Sequence, residues 1–238
     1  MVKELNHVGL RMVDLEQGLR LYRDALGGRV ILDAWALDGK GHIIYVQMGN
    51  TIIELILTKD STAQGFAHLA FLLKGEDLDK AYAKIARQGY FFSIPPKAAG
   101  TGNGRLAFFD NGADLVLELI ERTEEIRLEP FSSNLFTKID HIAVAVPRER
   151  QADTARIFVE ELGFTRESDV RFSLGDDAVE MIRPTSDTHP VDSLVFHTTN
   201  ASAVMACLSD EGLAPEQTAP GYVEVIGQAG EKLVFITV

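Results

Sequence analysis

The chain has 238 residues, 46% of them hydrophobic and 24% charged, an ordinary globular composition with enough apolar mass to bury a core without disulfides. Its 35 acidic and 23 basic residues leave a formal net charge of −12, which argues against binding nucleic acid through a basic stripe and against docking on anionic lipid. The single cysteine, Cys207, excludes an intrachain disulfide and a thiolate zinc cluster; the opening MVKELNHVGL lacks the pattern of a signal peptide, and no apolar run approaches the ~20 residues of a membrane span, so a soluble cytoplasmic protein is expected.

In chain order, LNHVGLRMV at 5–13 alternates as a strand, with His7 on the face of Leu5, Gly9 and Arg11. Asp14, with Gln17 three residues on, caps a helix whose apolar stripe is Leu15, Leu19, Tyr22 and Leu26 and which Gly27–Gly28 closes. GNTIIELIL at 49–57 places Glu54 with Ile52 and Ile56. FAHLAFLL at 66–73 places His68 with Phe66, Ala70 and Leu72, while Leu69, Phe71 and Leu73 cover the other face. A helix closed by Gly89 follows, then the hairpin RLAFFDNGADLVLELI at 105–120, turning at Asp110–Asn111–Gly112 and carrying Glu118 between Val116 and Ile120. The stretch after it is acidic, contains proline and has no periodicity; it reads as a linker over 123–136, and Glu121, Glu124, Glu125 and Glu129 are expected to be solvated.

The rest of the chain repeats this order. IDHIAVAVP at 139–147 sets His141 opposite His7, and a helix with Ala155, Phe158, Val159 and Leu162 ends at Gly163. GDDAVEMIR at 175–183 sets Glu180 opposite Glu54, and VDSLVFHT at 191–198 sets Ser193 opposite His68. A helix closed by Gly212 precedes VEVIGQAGEKLVFITV at 223–238, where Ile236 stands opposite Glu118. Residues 3–122 and 137–238 are therefore two copies of one unit, and each copy divides again into two strand–helix–strand modules. The expected fold is α+β: four β-α-β-β-β modules forming two cup-shaped mixed sheets with helices outside. His42 and His189 fall in expected turns, and Cys207 on the core side of a helix near Val204 and Leu208.

Carboxylates between Ile, Leu and Val must be paired, bind a metal or take up a proton. Two such glutamates and two inward-facing histidines, at repeat-related positions, suit one divalent ion among Ni, Zn, Co, Mn and Fe.

At these residues the chain resembles the vicinal oxygen chelate superfamily of glyoxalases, bleomycin resistance proteins and dioxygenases, chiefly over LNHVGLRMVDLEQGLRLYRDALGG and RLAFFDNGADLVLELIER. That resemblance implies metal ligands His7, Glu54, His68 and Glu118, a set most like glyoxalase I. It implies a lyase or isomerase that chelates two neighbouring oxygens of a small carbonyl substrate and moves a proton through an enediolate, with Glu118 and Glu54 as proton carriers. It also implies that Arg11 holds a substrate carboxylate. A methylmalonyl-CoA-epimerase-like isomerase, an extradiol dioxygenase using His7, His68 and Glu118, and a non-catalytic binding or resistance protein are the other readings. A small-molecule substrate and a monomer or homodimer are expected. If adjacent modules pair, the complete set is His7, Glu54, His68 and Glu118; if modules two and three pair, it is His68, Glu118, His141 and Glu180, with His197 a further candidate near Ser193.

Overall fold

The computed structural model describes residues 2–238 except 38, 40, 76 and 186–188. The first half runs β1 (Val2–Met12), α1 (Leu15–Leu19), β2 (Arg29–Trp35), β3 (His42–Met48), β4 (Thr51–Leu57), β5 (Gly65–Leu73), α2 (Leu78–Arg87), β6 (Phe92–Ala98), β7 (Arg105–Asp110) and β8 (Val116–Glu121). The second repeats it with β9 (Lys138–Ala145), α3 (Gln151–Arg156), β10 (Thr165–Arg166), β11 (Arg171–Leu174), β12 (Asp177–Ile182), β13 (Val191–Thr198), α4 (Ala201–Asp210), β14 (Glu216–Ala219), β15 (Tyr222–Ile226) and β16 (Lys232–Thr237). Asp14 accepts from the backbone N–H groups of Glu16 and Gln17, so α1 starts where its cap predicts; it then widens into a π-turn over Arg20–Ala25, as α3 does over Ile157–Leu162.

Each half is one eight-stranded sheet, in the orders β2-β3-β4-β1-β5-β8-β7-β6 and β10-β11-β12-β9-β13-β16-β15-β14. The central strands pair parallel within a module (β1 with β4, β5 with β8) and antiparallel between modules (β1 with β5). Adjacent modules thus share each sheet, and β5 and β9 lie in different ones. Among the described residues no ladder joins β2 to β6, so the first sheet remains an open half-barrel; at that edge the Leu37 N–H donates to the Gly100 carbonyl at 2.9 Å. No described helix is long and apolar enough to cross a membrane.

The two halves share one core. Phe71, on the outer face of β5, packs against Phe158 and Phe164 of the second half, with ring centroids 6.5 and 5.9 Å away. Polar links seal the seam: the Tyr22 hydroxyl donates to the buried Glu231 carboxylate (2.8 Å), and Asn111 donates to Thr154 (3.0 Å). The latter alters the expected hairpin. Asn111 turns inward and its Oδ1 accepts from Ala113 and Leu115, so β7 and β8 are joined by five residues, 111–115, rather than by a tight turn.

Three further expectations change. His42 begins β3, stacks on Trp35 at 4.6 Å and pairs with Asp33 at 2.6 Å. Cys207 is half-buried at the seam, its Sγ 3.6 Å from the Ala25 carbonyl. Glu124 and Glu129 are exposed as expected, but the segment carrying them is strapped to the first sheet: Leu128 N–H donates to Gln47, and Arg127 donates to the carbonyls of Leu5 and Asn6.

Candidate metal centre

The register of the four central strands explains how the site assembles. Gly9 pairs with Glu54 on one side and His68 on the other, while Ala70 lies between His7 and Glu118. All six positions face the cup, and a donor alternates with a residue too small to obstruct it. Gly9 is the tighter of the two: a Cβ there would stand 2.2 Å from Cε1 of the His68 imidazole.

The four donors meet. His7 Nε2 lies 3.2 Å from Glu54 Oε2 and 3.1 Å from Glu118 Oε2; His68 Nε2 lies 3.2 and 3.0 Å from the same two oxygens, and the two ring nitrogens are 3.1 Å apart. One ligand atom from each of the four buried residues falls within 4.8 Å of all the others. Donors bound at about 2.1 Å around a six-coordinate ion have neighbours about 3 Å apart, so the quartet fits a divalent first-row ion. The donor set is nitrogen and oxygen with no sulfur, consistent with Zn, Ni, Co, Mn or Fe.

Without an ion the four groups act on one another's charge. Burial works against charge on His68, but its contacts with Glu118 and Glu54 outweigh that and push it up to about 9. Burial raises Glu54 and Glu118 as well, yet the facing histidines bring both carboxyls below the usual range.

Around the quartet is a cavity of about 360 Å³ whose wall is largely apolar, including Ile43, Ile56, Ile94, Leu106, Phe108 and Val116. Phe108 presents its edge-to-face contact to the His68 ring at 5.1 Å. Arg11 lines the same cavity and is exposed, and among the described residues its side chain makes no hydrogen bond or ion pair. Tyr45, which sequence reasoning did not single out, forms part of the wall opposite Glu54 in register, 5.2 Å from the His7 ring. Burial, and then the Glu54 charge, raise its phenol well above the ordinary value, so it is a neutral hydroxyl.

The alternative set of His68, Glu118, His141 and Glu180 is not brought together, because its members lie in two sheets. The second cup holds a cation of its own. Arg171 occupies the position facing Glu180 that Tyr45 occupies facing Glu54. Its guanidinium lies 3.2 Å from Glu180 Oε2, 3.2 Å from His141 Nδ1 and 3.0 Å from Asp140 Oδ2. His197 pairs with Asp140 at 3.2 Å rather than joining a ligand set. Where the first sheet has Gly9 beside His68, the second has Ala143 beside Ser193.

Residues 4–115 match the model of the Glyoxalase/Bleomycin resistance protein/Dioxygenase superfamily. No curated protein matches the chain. Among solved structures, the 2,3-dioxygenase LapB of Pseudomonas sp. KL28 is similar at 16% identity and TM-score 0.65, over 100% of this chain and 92% of its own. The Mn(II)-bound glyoxalase of Novosphingobium aromaticivorans is similar at 16% identity and TM-score 0.66, over 99% of this chain and 82% of its own. The 2,2',3-trihydroxybiphenyl 1,2-dioxygenase of Sphingomonas wittichii strain RW1 matches at 17% identity and TM-score 0.66, over 100% and 91%. At such identities the likeness establishes the fold alone. The family match and the fold likeness thus both point the same way, with the matched stretch, residues 4–115, lying in the first half of the chain.

Proposed function

We propose that the protein is a divalent-metal-dependent lyase or isomerase of the glyoxalase type, acting on a small carbonyl compound with two adjacent oxygens. The observation that carries this reading is the convergence of four buried donors, two imidazoles and two carboxylates, at a cavity with an apolar wall. A divalent ion held there supplies Lewis-acid polarisation of the two substrate oxygens, which acidifies the neighbouring C–H. Glu118 and Glu54 both line the cavity and are the bases within reach of that proton. Val116 and Ile120 flank Glu118 on its strand and line the cavity with it, and burial there works toward a proton on its carboxylate. His7 and His68 would hold the ion. Arg11, unpaired at the same cavity, holds an anionic end of the substrate.

Glu54 speaks against ring-cleaving oxygenation. His7, His68 and Glu118 alone would make the two-histidine, one-carboxylate set of non-haem iron, with three positions for substrate and oxygen. A fourth protein donor on a six-coordinate ion leaves two, enough for a chelating substrate.

The test is a panel of α-hydroxy and α-keto carbonyl compounds, including hemithioacetals, incubated in heavy water with protein loaded with Ni, Co, Zn or Mn. Metal-dependent deuterium incorporation next to the carbonyl is expected, and Glu118→Gln should abolish it. Oxygen consumption with a catechol, without exchange, would establish the dioxygenase instead. A protein that takes up neither these four metals nor Fe(II) would refute both.

A further inference from the structure

Beyond its four donors, the site has a clamp on its first histidine, and that clamp comes from residues beyond the last strand of the sheet. Asn6 is fully buried beside His7, in a bulge where β1 slips register against β5 between Leu5 and His7. Its amide oxygen lies 3.0 Å from His7 Nδ1 and accepts from Arg122 Nη2 at 2.9 Å. An acceptor facing Nδ1 requires that this nitrogen carry the hydrogen, which leaves Nε2 turned to Glu54, Glu118 and His68 as the donor atom.

An asparagine alone would not enforce this, since its amide can turn over and offer NH2 instead. Two neighbours prevent that. Arg122 has donors only, so an NH2 facing it would be repelled. On the other side Asn6 Nδ2 donates to Glu4 at 3.1 Å, and Arg127 Nε holds Glu4 at 3.4 Å. Arg127 also takes the carbonyls of Leu5 and Asn6, both at 2.8 Å, which pins the bulge.

Arg122 reaches His7 by a second route. Its Cζ lies 5.1 Å from the Tyr45 ring centroid, and that ring lies 5.2 Å from His7. Among the described residues its Nε and Nη1 are buried without hydrogen-bond partners, a costly placement that its contacts with Asn6 and Tyr45 offset. The second half has no such arrangement: Asp140 stands at the Asn6 position, pairs with His141 at 2.8 Å and is bound by Arg171.

We propose that Arg122 is a positioning residue that acts through Asn6 to fix the orientation of His7, and that the stretch after β8, Arg122 with Arg127, is therefore part of the metal centre. The consequence for metal affinity rests on the metal reading above; the clamp itself does not.

The experiment has two readouts on full-length protein. The first is solvent exchange of the His7 Nδ1 proton in nitrogen-15 spectra of the metal-free protein; it should be protected in the wild type and exchange freely in Arg122→Met and Asn6→Leu. The second is zinc and manganese affinity by chelator competition. Each single variant should bind about 10- to 100-fold more weakly. The double variant should bind no more weakly than either single one, because both act through one contact, and Asn6→Asp should stay within a few-fold of wild type because it keeps the acceptor. Should Arg122→Met not fold, the contrast between Asn6→Asp and Asn6→Leu carries the test. Wild-type affinity and protection in Arg122→Met, or additive losses in the double variant, would overturn the clamp. A wild type that binds no metal while its His7 proton is protected would overturn the metal reading and leave the clamp standing.

Discussion

Replacing Gly9 with alanine asks whether the site exists because a side chain is missing. The added Cβ would lie 2.2 Å from His68 Cε1, 2.4 Å from Nδ1 and 2.8 Å from Nε2. Carbon atoms in ordinary contact stay about 3.5 Å apart, so the imidazole must retreat by more than about 1 Å. Ligand positions tolerate errors of only about 0.5 Å. His68 would therefore leave the set and three donors would remain. The backbone at Gly9 has no positive φ, so alanine introduces no strain of its own and the strand should form normally. Outer-shell substitutions around a metal cost about 10- to 100-fold in affinity, and loss of a donor should exceed that: at least about 100-fold, or roughly 2.7 kcal/mol. Chelator competition gives the affinity, while circular dichroism and the urea midpoint report the fold. A Gly9→Ala protein that folds and binds metal as tightly as the wild type would refute the registration argument.

Three further outcomes are expected. In metal-free protein His68, at about 9, is raised above its ordinary 6.5, so its contribution is fully present below pH 6.5 and is lost as pH climbs through 9; urea unfolding should show a loss of about 3 kcal/mol, and zinc should remove that loss by taking the proton's place. Asp177, at the seam, is pushed by burial to about 7 against the pull of Arg127 and Thr51. Its folded form favours the proton, so stability should fall between about pH 4 and 7, by at most about 4 kcal/mol; Asp177→Asn should flatten that slope, and an unchanged slope would assign it elsewhere. Arg171→Met should leave Glu180 without its cation and Asp140 with Lys138 and its histidines only, and lower thermal stability by about 1–3 kcal/mol, with metal binding in the first cup unchanged. Loss of metal from that variant would show that the cups are coupled.

Much of this was legible in the chain. Period-two alternation put Glu54, His68 and Glu118 on inward faces, and the internal repeat exposed His141, Glu180, Ser193 and Ile236 as their counterparts. Asp14 and Gly163 marked helix ends that the structure contains. Gly9 carried a readable signal, a glycine inside a strand, whose reason appears only when His68 arrives from 59 positions later.

What the sequence by itself determined is the set of inward faces and the duplication, because both depend on spacing along the chain. Which modules pair did not follow from it, since either pairing assembles four donors; hydrogen-bond register in three dimensions decided that β1 and β5 share a sheet. Asn6 with Arg122, Glu4 with Arg127 and Asn111 with Thr154 involve partners far apart in the sequence, so no local pattern announces them. A tight DNG turn became a five-residue loop in which the Asn111 side chain bonds both the loop's own backbone and Thr154 of the other half, and residues that read as a tether became a clamp because Arg127 reaches buried carbonyls of the first strand. Spacing sets which way a side chain points; only the packed fold sets what it meets.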